Sequence, residues 1–291
     1  MVDPADTPAP SAGGAMSRLG SDLPARAAAG VAMMAIALGA AWVGGFWFLV
    51  FWFVAAALVL WEWQKLVDGE HLAARLALGG LTLLVAAPFA LHGATRSALA
   101  VLLAGAVVTG FAAGPSRAER VWSAAGVLYA GAILVSPALL RASPAYGLAA
   151  ILWLFAVVWG ADIMAYFGGR LIGGPRLWPR ISPGKTWSGA VVGAISGAVL
   201  GALVALFAAP PGARLVPILI LGFVAAIVEG MGDLFESAVK RRFDVKDSSH
   251  LIPGHGGLMD RLDGFVAAAT FAVAVGWARS SGDWIASGLF Q

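Results

Sequence analysis

Residues 214–263 read RLVPILILGFVAAIVEGMGDLFESAVKRRFDVKDSSHLIPGHGGLMDRLD. The stretch changes character midway. From Leu215 to Val228 only apolar residues, one Pro and one Gly occur. From Ser237 to Asp263 the chain holds five Lys or Arg, four Asp and two His. A helical apolar run of about 20 residues crosses the hydrocarbon core of a bilayer, since each residue adds about 1.5 Å. The apolar half therefore predicts a membrane-spanning helix, and the charged half a water-facing segment at its end. Acids and bases interleaved around Gly256-Gly257 at a membrane edge point to a metal and phosphate site.

Working outward, similar apolar runs cover most of the chain. The predicted spans are 27–43, 46–63, 76–92, 97–113, 121–140, 147–165, 187–209, 214–232 and 264–280. The fold class is an all-α, polytopic integral membrane protein of about nine transmembrane helices. Mean hydropathy is +0.84 and only 12% of residues are charged. The runs do not alternate in polarity, which excludes a β-barrel. No cysteine is present, so disulfides, thiol catalysis and thiolate metal sites are excluded. The pI near 9.6 reflects basic cytoplasmic loops rather than nucleic-acid binding. Residues 1–26, rich in Pro, Ala, Gly and Asp, read as a disordered cytoplasmic tail. The run after them passes into a second span without a clear cleavage site, against a signal peptide. Gly44-Gly45 is the one break between the first two spans. A single tilted helix over 27–63 would flip everything downstream.

Placing the N-terminus inside puts fifteen of the nineteen Lys and Arg on the cytoplasmic face and four on the other. The positive-inside rule thus favours a cytoplasmic N-terminus and an outside C-terminus. The chain reads as N-terminal transmembrane helices over 27–140 and a C-terminal transmembrane region over 141–291, the candidate catalytic part. The polar loops 166–186 and 233–263 of that region then face the cytoplasm. Trp61, Trp63, Trp122, Trp187 and Trp277 fall near span ends and read as an interfacial belt. Gly189, Gly193, Gly197 and Gly201 form a small-residue stripe for helix packing or a dimer seam.

The candidate chemistry is concentrated in the two loops. Glu229, Asp233 and Glu236 share one helix face, and Lys240 continues it. Ionisable groups at membrane depth are costly and mark function by default. The alternative is that Asp233 and Glu236 already lie in water. Gly230 and Gly232 let a backbone or phosphate approach. Lys240, Arg241, Arg242 and Lys246 offer donors to phosphate oxygens, with a membrane anchor as the alternative. Pro253-Gly254-His255-Gly256-Gly257 reads as a phosphate-approach turn, with His255 as a phosphate contact or support. His250 reads as a loop residue. Asp260 and Asp263 share a face at the start of the last span, with Arg261 about 100° round the helix. Asp233 and Asp260 make the best pair for Mg²⁺, which takes one or two carboxylates plus phosphates and water. Asp162, Tyr166 and Arg170 line one face at the end of the sixth span. Ser182, Lys185 and Thr186 form an anion site at a helix start. Gly184-Lys185-Thr186 is not a P-loop, because the earlier glycine and a preceding strand are missing.

Together these residues carry a resemblance. The segment Ser237–Asp263 resembles the signature of the phosphatidate cytidylyltransferase, or CDP-diacylglycerol synthase, family. It matches at Ser237, Lys240, Arg241, Lys246, Asp247, Pro253, His255, Gly256, Gly257, Asp260, Arg261 and Asp263. Asp162, Tyr166, Gly169, Arg170 and the Ser182-Pro183-x-Lys185-Thr186-Trp187 element also look like this family. Gly184 and Ser188 stand where the family often has Lys and Glu, so neither of those groups is indispensable. The resemblance implies cytidylyl transfer from CTP to phosphatidate, giving CDP-diacylglycerol and pyrophosphate for phospholipid synthesis. It also implies Mg²⁺, a second monovalent cation such as K⁺, and a homodimer in the bacterial inner membrane with its site facing the cytoplasm. In this reading Asp233, Lys240, Arg241, Asp260, Arg261 and Asp263 are catalytic. Ser182, Lys185, Thr186, Ser237, Lys246, His255, Gly256 and Gly257 bind substrate. A transporter with an intramembrane acidic relay, or a cytidylyltransferase for another lipid phosphate, is the alternative. A CDP-alcohol phosphotransferase does not fit Asp260-Arg261-Leu262-Asp263-Gly264.

Overall fold

The computed structural model describes residues 30–209, 213–252, 256–280 and 284–290. The expected tail and His255 lie outside the described residues. A helix stands at every predicted span. These are α1 (Gly30–Val43), α2 (Gly45–Leu66), α3 (Leu72–Leu91), α4 (Thr95–Phe111), α5 (Arg117–Arg141), α6 (Gly147–Ile172), α7 (Trp187–Ala208), α8 (Leu215–Arg242) and α9 (Met259–Arg279). A short α10 (Ser287–Phe290) follows. Among the described residues, seven of these helices, α2, α3 and α5 to α9, are long and apolar enough to cross a membrane. Large apolar side chains stay exposed on the outer faces, among them Leu84, Val107, Val191, Phe207 and Ile220. A water-soluble surface does not carry such a belt, and lipid covers it at no cost.

Residues 27–63 form two helices. Gly44 takes φ 67°, open to glycine and strained for other residues. The Arg141 guanidinium packs against it so closely that a Cβ at Gly44 would collide with it. Arg141 Nε also donates to the Ala41 carbonyl at 2.9 Å, closing the end of α1. The core runs along α5 and α6, where Ile133, Leu134, Leu140, Ile151 and Leu154 are fully buried.

The glycine stripe of α7 packs within the chain. Cβ atoms at Gly189, Gly193 and Gly197 would sit 2.7–2.8 Å from the carbonyl oxygens of Ala165, Ala161 and Val157. The stripe lets α7 lie directly on α6. The tryptophan belt needs one correction. Trp63 is wholly buried and donates Nε1 to the Trp122 carbonyl at 2.8 Å. It is a core residue because its ring fills the space left by Gly126, where a Cβ would collide with it. Between α6 and α7 the chain forms an antiparallel hairpin, β1 (Arg176–Trp178) and β2 (Ser182–Thr186).

Candidate active site

Two polar clusters meet where α8, α9, β2 and the loop over 243–258 come together. In the first, Lys240 Nζ lies 2.7 Å from Glu236 Oε2 and 2.9 Å from Asp260 Oδ1. Glu236 is fully buried, and among the described residues Lys240 is the cation in salt-bridge reach of it. The pair is close by distance, yet both glutamate oxygens lack hydrogen-bond geometry. Asp260 also accepts the Ser248 N–H at 3.2 Å and the Gly257 N–H at 2.8 Å. One carboxylate thus draws both limbs of the loop to the first turn of α9. Gly256 has φ 78°, and a Cβ there would sit 2.6 Å from Asp260 Oδ2.

The second cluster joins the loops. Lys185 Nζ lies 2.5 Å from Asp233 Oδ2, and Ser237 Oγ donates to Asp233 Oδ1 at 3.3 Å. Beside it, Asp162 and Glu229 meet side chain to side chain. Asp263 is within electrostatic reach of Asp233, Asp162 and Lys185. Glu229 is buried, so the α8 stripe penetrates the helix bundle. Gly232 permits this crossing: a Cβ there would approach the Asp263 carbonyl to 2.8 Å.

Other site residues have more local roles. Thr186 Oγ1 caps α7 by accepting the Gly189 N–H at 3.1 Å, and it contacts Ser188 Oγ at 3.0 Å. Ser182 begins β2 opposite Trp178. Arg241 donates to the Val245 carbonyl at 3.1 Å, and Lys246 is exposed. Arg261 is exposed on the first turn of α9, within reach of Asp162. Of the turn expected to greet an anion over 253–257, the Gly257 amide is already engaged, as are the two amides that follow it. Gly257 donates to Asp260, and the next two donate to Glu62 of α2. Sequence reasoning passed over Glu62. Its one signal was a carboxylate between two tryptophans inside an apolar run. Asp263 also borders a cleft of about 480 Å³ between α5, α8 and α9, whose wall includes Tyr129, Met231, Phe235 and Phe271. It is the one charged residue in that wall.

Among the described residues, no three His, Asp or Glu side chains converge to cage a metal ion. The cytidylyltransferase family profile matches residues 24–278, and the chain belongs to that family. The relatives are more specific. The phosphatidate cytidylyltransferase of Brucella abortus is 51% identical over 160 residues, 55% of this chain and 58% of that protein. Those of Pseudomonas aeruginosa and Bacillus subtilis are 44% and 41% identical over 132 and 126 residues. The chain thus spans about half the length of the curated relatives it matches, from 46% to 58%.

Proposed function

We propose that this protein transfers a cytidylyl group from CTP to phosphatidate, releasing pyrophosphate and forming CDP-diacylglycerol at the cytoplasmic face of a bacterial inner membrane. The observation that carries the reading is the contact of Lys185 with Asp233, which joins both polar segments into one site. A phosphatidate oxygen attacks the α-phosphorus of CTP. A new P–O bond forms, the bond to the bridging oxygen breaks, and pyrophosphate leaves with the electron pair. The substrate brings its own nucleophile, so the protein has to position two polyanions and stabilise charge. Lys240, Arg241, Lys246 and Arg261 surround the triphosphate or lipid head group. Lys185 and Ser182 hold substrate phosphate from the hairpin. The cleft beside Asp263 is apolar enough for an acyl chain.

A bound Mg²⁺ would supply charge neutralisation at the phosphate oxygens and would need only one or two protein carboxylates. Asp233 suits this role: it is partly exposed, beside further acids, and it is held by Lys185 on one oxygen and the Ser237 hydroxyl at 3.3 Å on the other. Asp260 suits it less, because both its oxygens already accept protein donors. The family resemblance adds a monovalent second cation and a homodimer to the proposal. The apolar runs and the positive-inside count add nine crossings with the N-terminus inside. These require α4, about 26 Å long, to cross where the bilayer thins, and α1 to cross beside it.

The test uses full-length protein in vesicles with radiolabelled CTP. Label should enter lipid only with phosphatidate present, with matching pyrophosphate release. Labelling of a different lipid phosphate instead redirects the substrate assignment, and ion flux without CTP use overturns the enzyme reading. Asp233→Asn should abolish turnover in a folded protein.

A further inference from the structure

Glu62 is 1% exposed, in a helix far along the chain from the charged loop. Its Oε1 accepts Ser249 Oγ at 2.6 Å and the Leu258 N–H at 2.8 Å, and its Oε2 accepts the Met259 N–H at 2.6 Å. Leu258 and Met259 are the N-cap and first residue of α9, and Leu258 supplies no side-chain cap of its own. The helix start is therefore capped from α2. Free N–H groups at a helix start attract anions, phosphate included. Here a protein carboxylate holds that place, next to Asp260. Gly257 leaves room for it, since a Cβ there would stand 2.6 Å from Glu62 Oε1.

We propose that Glu62 is a positioning residue for the transfer site, clamping Ser249 and the start of α9 so that Asp260 and Asp263 are held toward Lys240 and Asp233. This rests on the transfer reading above. Asp260 lies in the first turn of α9 and Asp263 follows on the same face at the start of the next, so loosening the helix start displaces Asp260 directly and Asp263 through it. A displacement of about 1 Å in a reacting site costs about a hundredfold in rate.

The test combines steady-state kinetics with amide hydrogen exchange on the full-length protein in phosphatidate vesicles. Glu62→Gln replaces one acceptor oxygen with a donor. Its kcat should fall about a hundredfold, with the KM for CTP within about threefold of wild type. Peptides over 248–259 should exchange at least about tenfold faster, while α4 peptides stay unchanged. Glu62→Asp keeps the charge and should recover part of both effects. Ser249→Ala removes one donor and spares the cap, so it should speed exchange over 248–252 even if the Gln variant does not fold. Wild-type kcat in Glu62→Gln, or unchanged exchange over 248–259, overturns the proposal. So does a loss of folded protein with unchanged kcat per folded molecule. If wild-type protein makes no product from CTP and phosphatidate, the transfer reading fails, and the exchange data still judge the clamp.

Discussion

The hairpin over 176–186 and the loop over 243–258 reach the same site and are held there by opposite means. The hairpin is fixed by its own backbone, with Arg176 paired to Thr186 and Trp178 to Ser182, and Thr186 capping α7. The loop forms no strand pair beyond one bridge between Ile252 and Gly256 among its described residues. Carboxylates on two helices gather its amides and hydroxyls instead. A backbone ladder tolerates side-chain change, whereas a loop hung on two acids depends on each of them.

The sharpest way to break this contrast is Asp260→Asn. It weakens the partner of Lys240 and the anchor of both loop limbs together. We expect kcat to drop by about a thousandfold or more, with faster exchange over 248–257. Retained activity would remove Asp260 from the site. Lys185→Met comes next, with kcat/KM down about a hundredfold. Hairpin exchange should stay near wild type, because its ladder remains; a hairpin that opens would contradict the backbone account. Gly256→Ala should cost about 1–3 kcal/mol through its positive φ, beyond the crowding at Asp260. A thermal melt matching wild type would show that the turn can relax. The smallest effect belongs to Thr186→Val, which removes a helix cap worth about 1 kcal/mol. The melt should shift slightly, and a larger loss of turnover per folded molecule would show that the hydroxyl touches substrate as well as capping α7.

Much of this was legible in the sequence because its signals are local. Apolar runs place α1 to α9, and the spacing of Glu229, Asp233 and Glu236 places them on one face. Gly44-Gly45 marked a break, and the structure makes it a real one because Arg141 needs that space. Pairings across the chain were not legible. Lys185 and Asp233 come from different loops, and no periodicity joins them. The strands of the hairpin are three and five residues long, and β2 contains Pro and Gly, too short and irregular to read as strands. Trp63 looked interfacial because a tryptophan at a span end usually is, and only Gly126 on another helix makes it core.

Glu62 also carries a consequence in time. Its partners Leu258 and Met259 follow it by 196 and 197 residues. At a synthesis rate of about 5–20 residues per second, that interval is roughly ten to forty seconds. Through it, an acid near the end of an apolar helix has only water or lipid head groups to satisfy it. The helices are therefore born in one order and seated in another. α2 is made early, and its buried acid gains these two partners only when α9 arrives.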